Sequence, residues 1–235
     1  MNNFKSLTVF GCSFSDYMNG ELHRVYGDYL AEHMGVTYQH QARGGGSNYA
    51  MWRRCHEMYA AGELDNGLII IQYTEPMRQE FFVNRGAYNS WNRPADHQWP
   101  RAHNEDPWGD GTVIRWKMGA DQWQNTHRDR DFFRMYQGHY VNEAWAQSQF
   151  AWHHSQFCAW IKSVGLTVMF LQCRILPQFE LAEPWATTAF RDPWEQLTAA
   201  EYRYEPDDFC HMNDLGHKTM AGQLLTHVQG HFGSK

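Results

Sequence analysis

Leu7-Thr8-Val9-Phe10-Gly11-Cys12-Ser13-Phe14-Ser15-Asp16 is a short apolar run that stops at a glycine followed by a small hydroxyl residue. A strand that ends there presents Ser13 at the edge of a sheet. Leu68-Ile69-Ile70-Ile71 repeats the pattern more strongly: it is continuous, β-branched and short, as a strand buried on both faces must be. Between them the apolar period lengthens. Tyr26, Tyr29, Leu30 and His33 or Met34 recur at i, i+3, i+4, which predicts a helix from Tyr26 to Met34 with Gly35 as its stop. Val36 to His40 reads as a second strand, Gly44-Gly45-Gly46 as a loop, and Ser47 or Asn48 as the cap of a helix reaching about Ala61. Further on, Asn142 to Val164 reads as a long helix ended by Gly165, and Leu166 to Leu171 as a fourth buried strand. Asp214 is placed to cap a last helix from Leu215 to about Val228. Strands alternating with helices predict a parallel, doubly wound α/β sheet. Sites in such sheets gather at the carboxyl ends of strands. Ser13, the glycine loop and Gln72-Tyr73-Thr74-Glu75 each follow a strand, so all three are expected on one rim.

With 235 residues the chain fits one domain, residues 1–235, carrying an insertion at about 81–140. Periodicity fades there, and Trp91, Trp99, Trp108, Trp116 and Trp123 lie among Gly, Pro, Asn and Asp. So long a stretch inside a compact domain implies small elements of its own, with Thr112 to Lys117 as one strand. Its rings either pack a local core or line a cleft, where flat faces suit sugars and acyl chains. The chain is irregular from Pro177 to about Pro206.

A net charge of −6 leaves no electrostatic footprint for nucleic acid. No apolar stretch approaches the roughly 20 residues needed to span a bilayer, and the N-terminus lacks a signal-peptide core. No membrane partner is expected, and the chain is expected in the cytoplasm. The five cysteines (Cys12, Cys55, Cys158, Cys173 and Cys210) are odd in number and show no CxxC spacing, against a disulfide framework or zinc knuckle. Cys12 and Cys210 are read as small buried fillers. Of fourteen histidines, His227 and His231 fall at i, i+4 and His153-His154 are adjacent, but no HExxH pattern accompanies them, so no metal site is expected.

Asp208-Phe209-Cys210-His211-Met212-Asn213 supplies what Ser13 lacks. A serine hydroxyl is a poor nucleophile at its own pKa and needs a base, which in turn needs orienting. An acid three residues before a histidine can share a loop with it; that interval selects Asp208 over Asp207. The glycine loop could instead cradle a phosphate at a helix N-terminus. No Lys-Ser/Thr follows it, which excludes a Walker loop, and neither Gly11-x-Ser13 nor Gly45-x-Ser47 has the closing glycine of a nucleophile elbow.

Taken in order, these blocks resemble the SGNH/GDSL hydrolases. Gly11-Cys12-Ser13-Phe14-Ser15-Asp16 is similar to the family's first block, with Cys12 in place of aspartate. Gly45-Gly46-Ser47-Asn48 is similar to the second, and Asp208 to Asn213 with Gly216 to the last. The resemblance spans nearly the whole chain around the insertion and implies a flavodoxin-like, three-layer α/β/α fold with a mostly parallel sheet. It implies a Ser13–His211–Asp208 triad and an oxyanion hole from the Ser13 and Gly45 N–H groups. The third block departs: Gln72-Tyr73-Thr74-Glu75 stands where the family has Gly-x-Asn-Asp, so the Thr74 hydroxyl replaces an amide donor. Gln72 or Arg78 could supply a substitute donor and contact substrate. Thr74, Arg78 and Glu80 are spaced as in a variant that resembles small SGNH-like proteins of tailed phages and marine bacteria, which adds virion association as a second location.

The expected function is a serine esterase acting on acyl esters, O-acetyl esters among them, of a small molecule or carbohydrate. It needs no metal or organic cofactor. Two alternatives stand beside it: an acyltransferase using the same triad, and a catalytically weak carbohydrate-binding or virion-associated module.

Overall fold

The computed structural model describes residues 4–17, 24–43, 46–74, 76, 80–83, 112–115, 143–172 and 211–232. Four strands form one parallel sheet: β1 (Ser6–Gly11), β2 (Thr37–Ala42), β3 (Gly67–Tyr73) and β6 (Thr167–Gln172), in the order β2-β1-β3-β6. Val9 pairs with His40 on one side and Ile70 on the other, and Ile70 with Met169. β3 is buried along its whole length, as its β-branched run requires. β2 is half-exposed and correspondingly polar (Thr-Tyr-Gln-His-Gln-Ala), because it has a strand on one side only among the described residues.

The helices are α1 (Tyr26–Met34), α2 (Asn48–Ala60), α3 (Glu143–Val164) and α4 (Asp214–Phe232). Successive strand residues point to opposite faces, and the end of β3 shows which layer lies on each. Gln72 meets Ser15, which is bonded to Tyr26 of α1. Tyr73 meets Trp52 of α2 and Phe150 and His154 of α3. The Tyr26 ring in turn stacks on His217 of α4. The result is the expected three-layer α/β/α arrangement, with α1 and α4 on one face and α2 and α3 on the other.

Element ends follow local chemistry. Gly35 and Gly165 close α1 and α3 at φ of 69° and 72°, the left-handed conformation that a side chain disfavours. Ser47 caps α2, its hydroxyl accepting from the Ala50 N–H at 3.2 Å, which leaves Asn48 for another task. Three expectations need correction. The cap of α4 is Asn213, whose Oδ1 accepts from the Gly216 N–H at 2.9 Å, so Asp214 is already helical and the helix runs past Val228 to Phe232. On α1, Tyr26 and Leu30 are buried and Tyr29 and Met34 are half-buried against the same core, as expected, but His33 is exposed and Gly27 and Ala31 are buried as well: the stripe extends toward Ala31 because α1 packs between β1, β2 and α4. Thr112–Arg115 is a strand (β5), but its partner β4 (Glu80–Val83), antiparallel to it, was not foreseen, since four residues are too few to show an alternation. The remainder of the 81–140 segment and the 177–206 stretch lie outside the described residues.

Cys12, Cys55 and Cys158 are buried, and none forms a disulfide among the described residues. No helix among the described residues is long and apolar enough to cross a membrane.

Candidate active site

Ser13 opens a single 3-10 turn, Ser13–Ser15, at the carboxyl end of β1; the Ser15 N–H donates to the Cys12 carbonyl at 3.0 Å. The chain reverses this tightly because residue 11 is glycine. A Cβ there would lie 2.5 Å from Ser15 Oγ, 2.7 Å from Ser15 Cβ and 3.1 Å from Gln72 Oε1. The space beside Gly11 is thus already filled by the Ser15 hydroxymethyl group and the Gln72 amide.

Past Ser15 the chain is fixed at several points. His40 of β2 donates from Nε2 to the Ser15 carbonyl at 3.2 Å, and the same nitrogen lies 3.6 Å from Asp16 Oδ1. Burial holds the His40 pKa below its ordinary value, with Asp16 and the Ser15 carbonyl opposing that shift. Tyr17 packs against the His40 ring, with centroids 4.5 Å apart and planes tilted by 41°, and its hydroxyl donates a hydrogen bond to Asp28 Oδ1 at 3.0 Å. The other Asp28 oxygen accepts from the Val25 N–H at 2.9 Å, at the start of α1.

The loop after β2 reaches the same place. The Arg43 N–H donates to the Gly11 carbonyl at 3.1 Å, and Gly46 N–H donates to the Arg43 carbonyl at 2.9 Å. Two residues on, Asn48 grips the residue after β3. Its Nδ2 donates to the Thr74 carbonyl and its Oδ1 accepts from the Thr74 N–H, both at 2.8 Å. Asn48 and Thr74 are buried, at 0% and 2% exposure, so this pair of bonds satisfies two backbone groups that water does not reach. The Thr74 hydroxyl and the Gln72 Nε2 are buried as well, and neither has a hydrogen-bond partner among the described residues. Two donors without partners among the described residues therefore stand two residues apart at the end of β3.

His211 arrives from the far end of the sequence. Its half-buried ring lies against Phe14, the residue after Ser13, with centroids 5.1 Å apart and planes inclined by 31°. Nearby, His217 on the first turns of α4 is buried, and its Nδ1 accepts from the Tyr26 N–H at 3.2 Å. Burial, with a smaller contribution from the neighbouring His211, pushes its pKa down to about 3, so the ring is neutral in the folded protein at ordinary pH.

Of the residues singled out by sequence, the structure brings the Ser13 turn, Gln72, Thr74 and His211 to one rim. Gly45, Arg78 and Asp208 lie outside the described residues. Sequence reasoning gave Ser15, Tyr26 and His217 no role at the site, and gave Asn48 none beyond a helix cap and a place in the second block. Asn48 carried the one readable signal, a second cap-type residue beside Ser47 where a helix needs only one.

The chain matches no protein-family model and no curated protein. Among solved structures it is similar to a G-D-S-L family protein from Desulfitobacterium hafniense DCB-2. The match covers 94% of this chain and 98% of that one, at 11% identity and a TM-score of 0.38.

Proposed function

We propose that the protein is a serine ester hydrolase in which Ser13 attacks the acyl carbon and His211 serves as its base. The observation that carries this reading is the His211 ring against Phe14, next in the chain to Ser13 although almost two hundred residues separate the two blocks. His211 takes the Ser13 proton as the hydroxyl oxygen bonds to the acyl carbon. It then returns that proton to the departing alcohol, leaving an acyl-serine. Water, deprotonated by the same imidazole, attacks this ester and releases the acid, and the proton goes back to Ser13. Asp208 orients His211 and stabilises its charged form.

The negative charge that develops on the acyl oxygen faces the N–H groups of Ser13 and Gly45 and the hydroxyl of Thr74. Support for Thr74 is its burial, an Oγ1 without a hydrogen-bond partner among the described residues, and the backbone held by Asn48. A donor already fixed in place needs no reorganisation when the charge appears. Gln72 Nε2 is a further donor at the same strand end with no partner among the described residues.

The test is covalent labelling by a fluorophosphonate, combined with turnover of a short activated ester. Wild type should be modified at Ser13 and turn over, whereas Ser13→Ala should do neither while keeping its circular dichroism. His211→Ala should lose about as much, since residues of one catalytic unit are not additive. Wild-type turnover by Ser13→Ala sinks the assignment.

A further inference from the structure

Ser13 and His211 sit on different elements, the turn after β1 and the segment before α4, and something must set the distance between them. The Ser15 hydroxyl has one proton, which it donates to Gln72 Oε1, an atom that can only accept. The Tyr26 hydroxyl, 2.8 Å from Ser15 Oγ, must then be the donor in that second bond. Tyr26 is fully buried, and burial raises its pKa, which keeps that proton in place. The backbone of the same residue points the other way. Its N–H is one of the amides that the first turn of α1 leaves unbonded, and it donates to Nδ1 of His217 across 191 positions of sequence. The two rings stack, with centroids 6.1 Å apart and planes at 23°. His217 is itself tied into the first turn of α4, its N–H donating to the Asn213 carbonyl at 3.0 Å, two residues after His211.

We propose that Tyr26 is a positioning residue: its hydroxyl holds the turn of Ser13 through Ser15, its amide and ring hold the start of α4, just after His211, through His217, and it thereby sets the nucleophile-to-base distance. This rests on the roles given to Ser13 and His211 above. Tyr38 provides an internal control. It is a neighbouring tyrosine of β2 whose hydroxyl, lying over Gly27, is also buried but has no hydrogen-bond partner among the described residues.

The experiment measures fluorophosphonate inactivation of the full chain, separating kinact from KI, for wild type, Tyr26→Phe, Ser15→Ala, their double variant and Tyr38→Phe. All are assayed below their melting temperatures. Tyr26→Phe and Ser15→Ala should each lower kinact by roughly 10- to 100-fold, the scale at which a misplacement of about 1 Å acts, with KI unchanged. The double variant should be no slower than the slower single, because both changes break one contact. Tyr38→Phe should match wild type. A folded Tyr26→Phe with wild-type kinact overturns the proposal, as does a loss carried by KI, a multiplicative double variant or an equal loss in Tyr38→Phe. If Tyr26→Phe does not fold, Ser15→Ala is judged by the same criteria on kinact and KI. A wild type that is not labelled at Ser13 removes the hydrolase reading and this one with it; a labelled wild type with an equally reactive Tyr26→Phe removes only the positioning role.

Discussion

Replacing Asn48 by alanine removes the grip on Thr74 and nothing else of comparable size. Two hydrogen bonds of 2.8 Å disappear, and they leave one backbone N–H and one carbonyl of Thr74 buried without partners. Each orphaned group costs about 1–3 kcal/mol, while alanine in the first turn of α2 returns about 0.5 kcal/mol of helix propensity, so the net loss is about 2–5 kcal/mol. Urea unfolding should show a lower midpoint at unchanged slope. Asn48→Asp sharpens the test. Its carboxylate keeps the acceptor for the Thr74 N–H but sets a negative oxygen against the Thr74 carbonyl, so near neutral pH it should be no better than alanine. A protonated carboxyl can donate to that carbonyl, so folding raises the pKa of the introduced group. A raised folded pKa means stability that is present at low pH and lost as pH rises through that pKa. Asn48→Asp should therefore gain on Asn48→Ala as the solution is acidified. An Asn48→Ala protein within about 0.5 kcal/mol of wild type, the range of an inconsequential surface change, would refute the reasoning.

Two further outcomes follow from the site. Thr74→Val keeps the shape and removes the hydroxyl; in ester hydrolysis kcat should fall by roughly 10- to 1000-fold with KM little changed, as for a donor that acts on transition-state charge. A silent substitution would move that role to Gln72. The second outcome concerns acid. His217 is held neutral to about pH 3 when folded but takes up a proton near pH 6.5 when unfolded, so its contribution to stability is intact above that value and lost as pH falls. His217→Asn, which retains an acceptor for the Tyr26 N–H, should flatten the wild-type dependence between pH 6 and 5, by a slope difference approaching about 1.4 kcal/mol per pH unit. Parallel slopes in urea titrations would contradict the buried neutral state.

Much of the scaffold was legible because its signals are local. The Leu68–Ile71 run, the Tyr26–Met34 periodicity and the terminal glycines Gly35 and Gly165 each act within a few residues, and the strands and helices stand where they indicate. The candidate site was legible in part for the same reason: the turn after β1 is announced by Gly11 and Ser13. Its supports were not legible. Ser15 finds Gln72 at a separation of 57 residues and Tyr26 finds His217 at 191, and no period or spacing encodes such pairs. Gln72 interrupts an apolar strand, and only the folded sheet reveals that its amide fills the space left by Gly11. Asn213 and Asp214 are both good caps in sequence; the hydrogen bond to Gly216 decides between them.

The pairing of α1 with α4 also has a consequence in time. During synthesis α1 is complete at Met34, but the helix that packs against it begins at Asp214, about 180 residues later. At roughly 5–20 residues per second that interval lasts on the order of 10–40 seconds. Throughout it, Tyr26 and Leu30 on α1 lack the α4 side chains Met220, Ala221 and Leu224 that complete their layer of the core. The amide of Tyr26 waits equally long for His217. A nascent chain of this protein thus carries an unfinished apolar face until α4 emerges, and substitutions that weaken α4 would act first as defects of biosynthesis, visible in the yield of soluble protein before any change in the melting of what does fold.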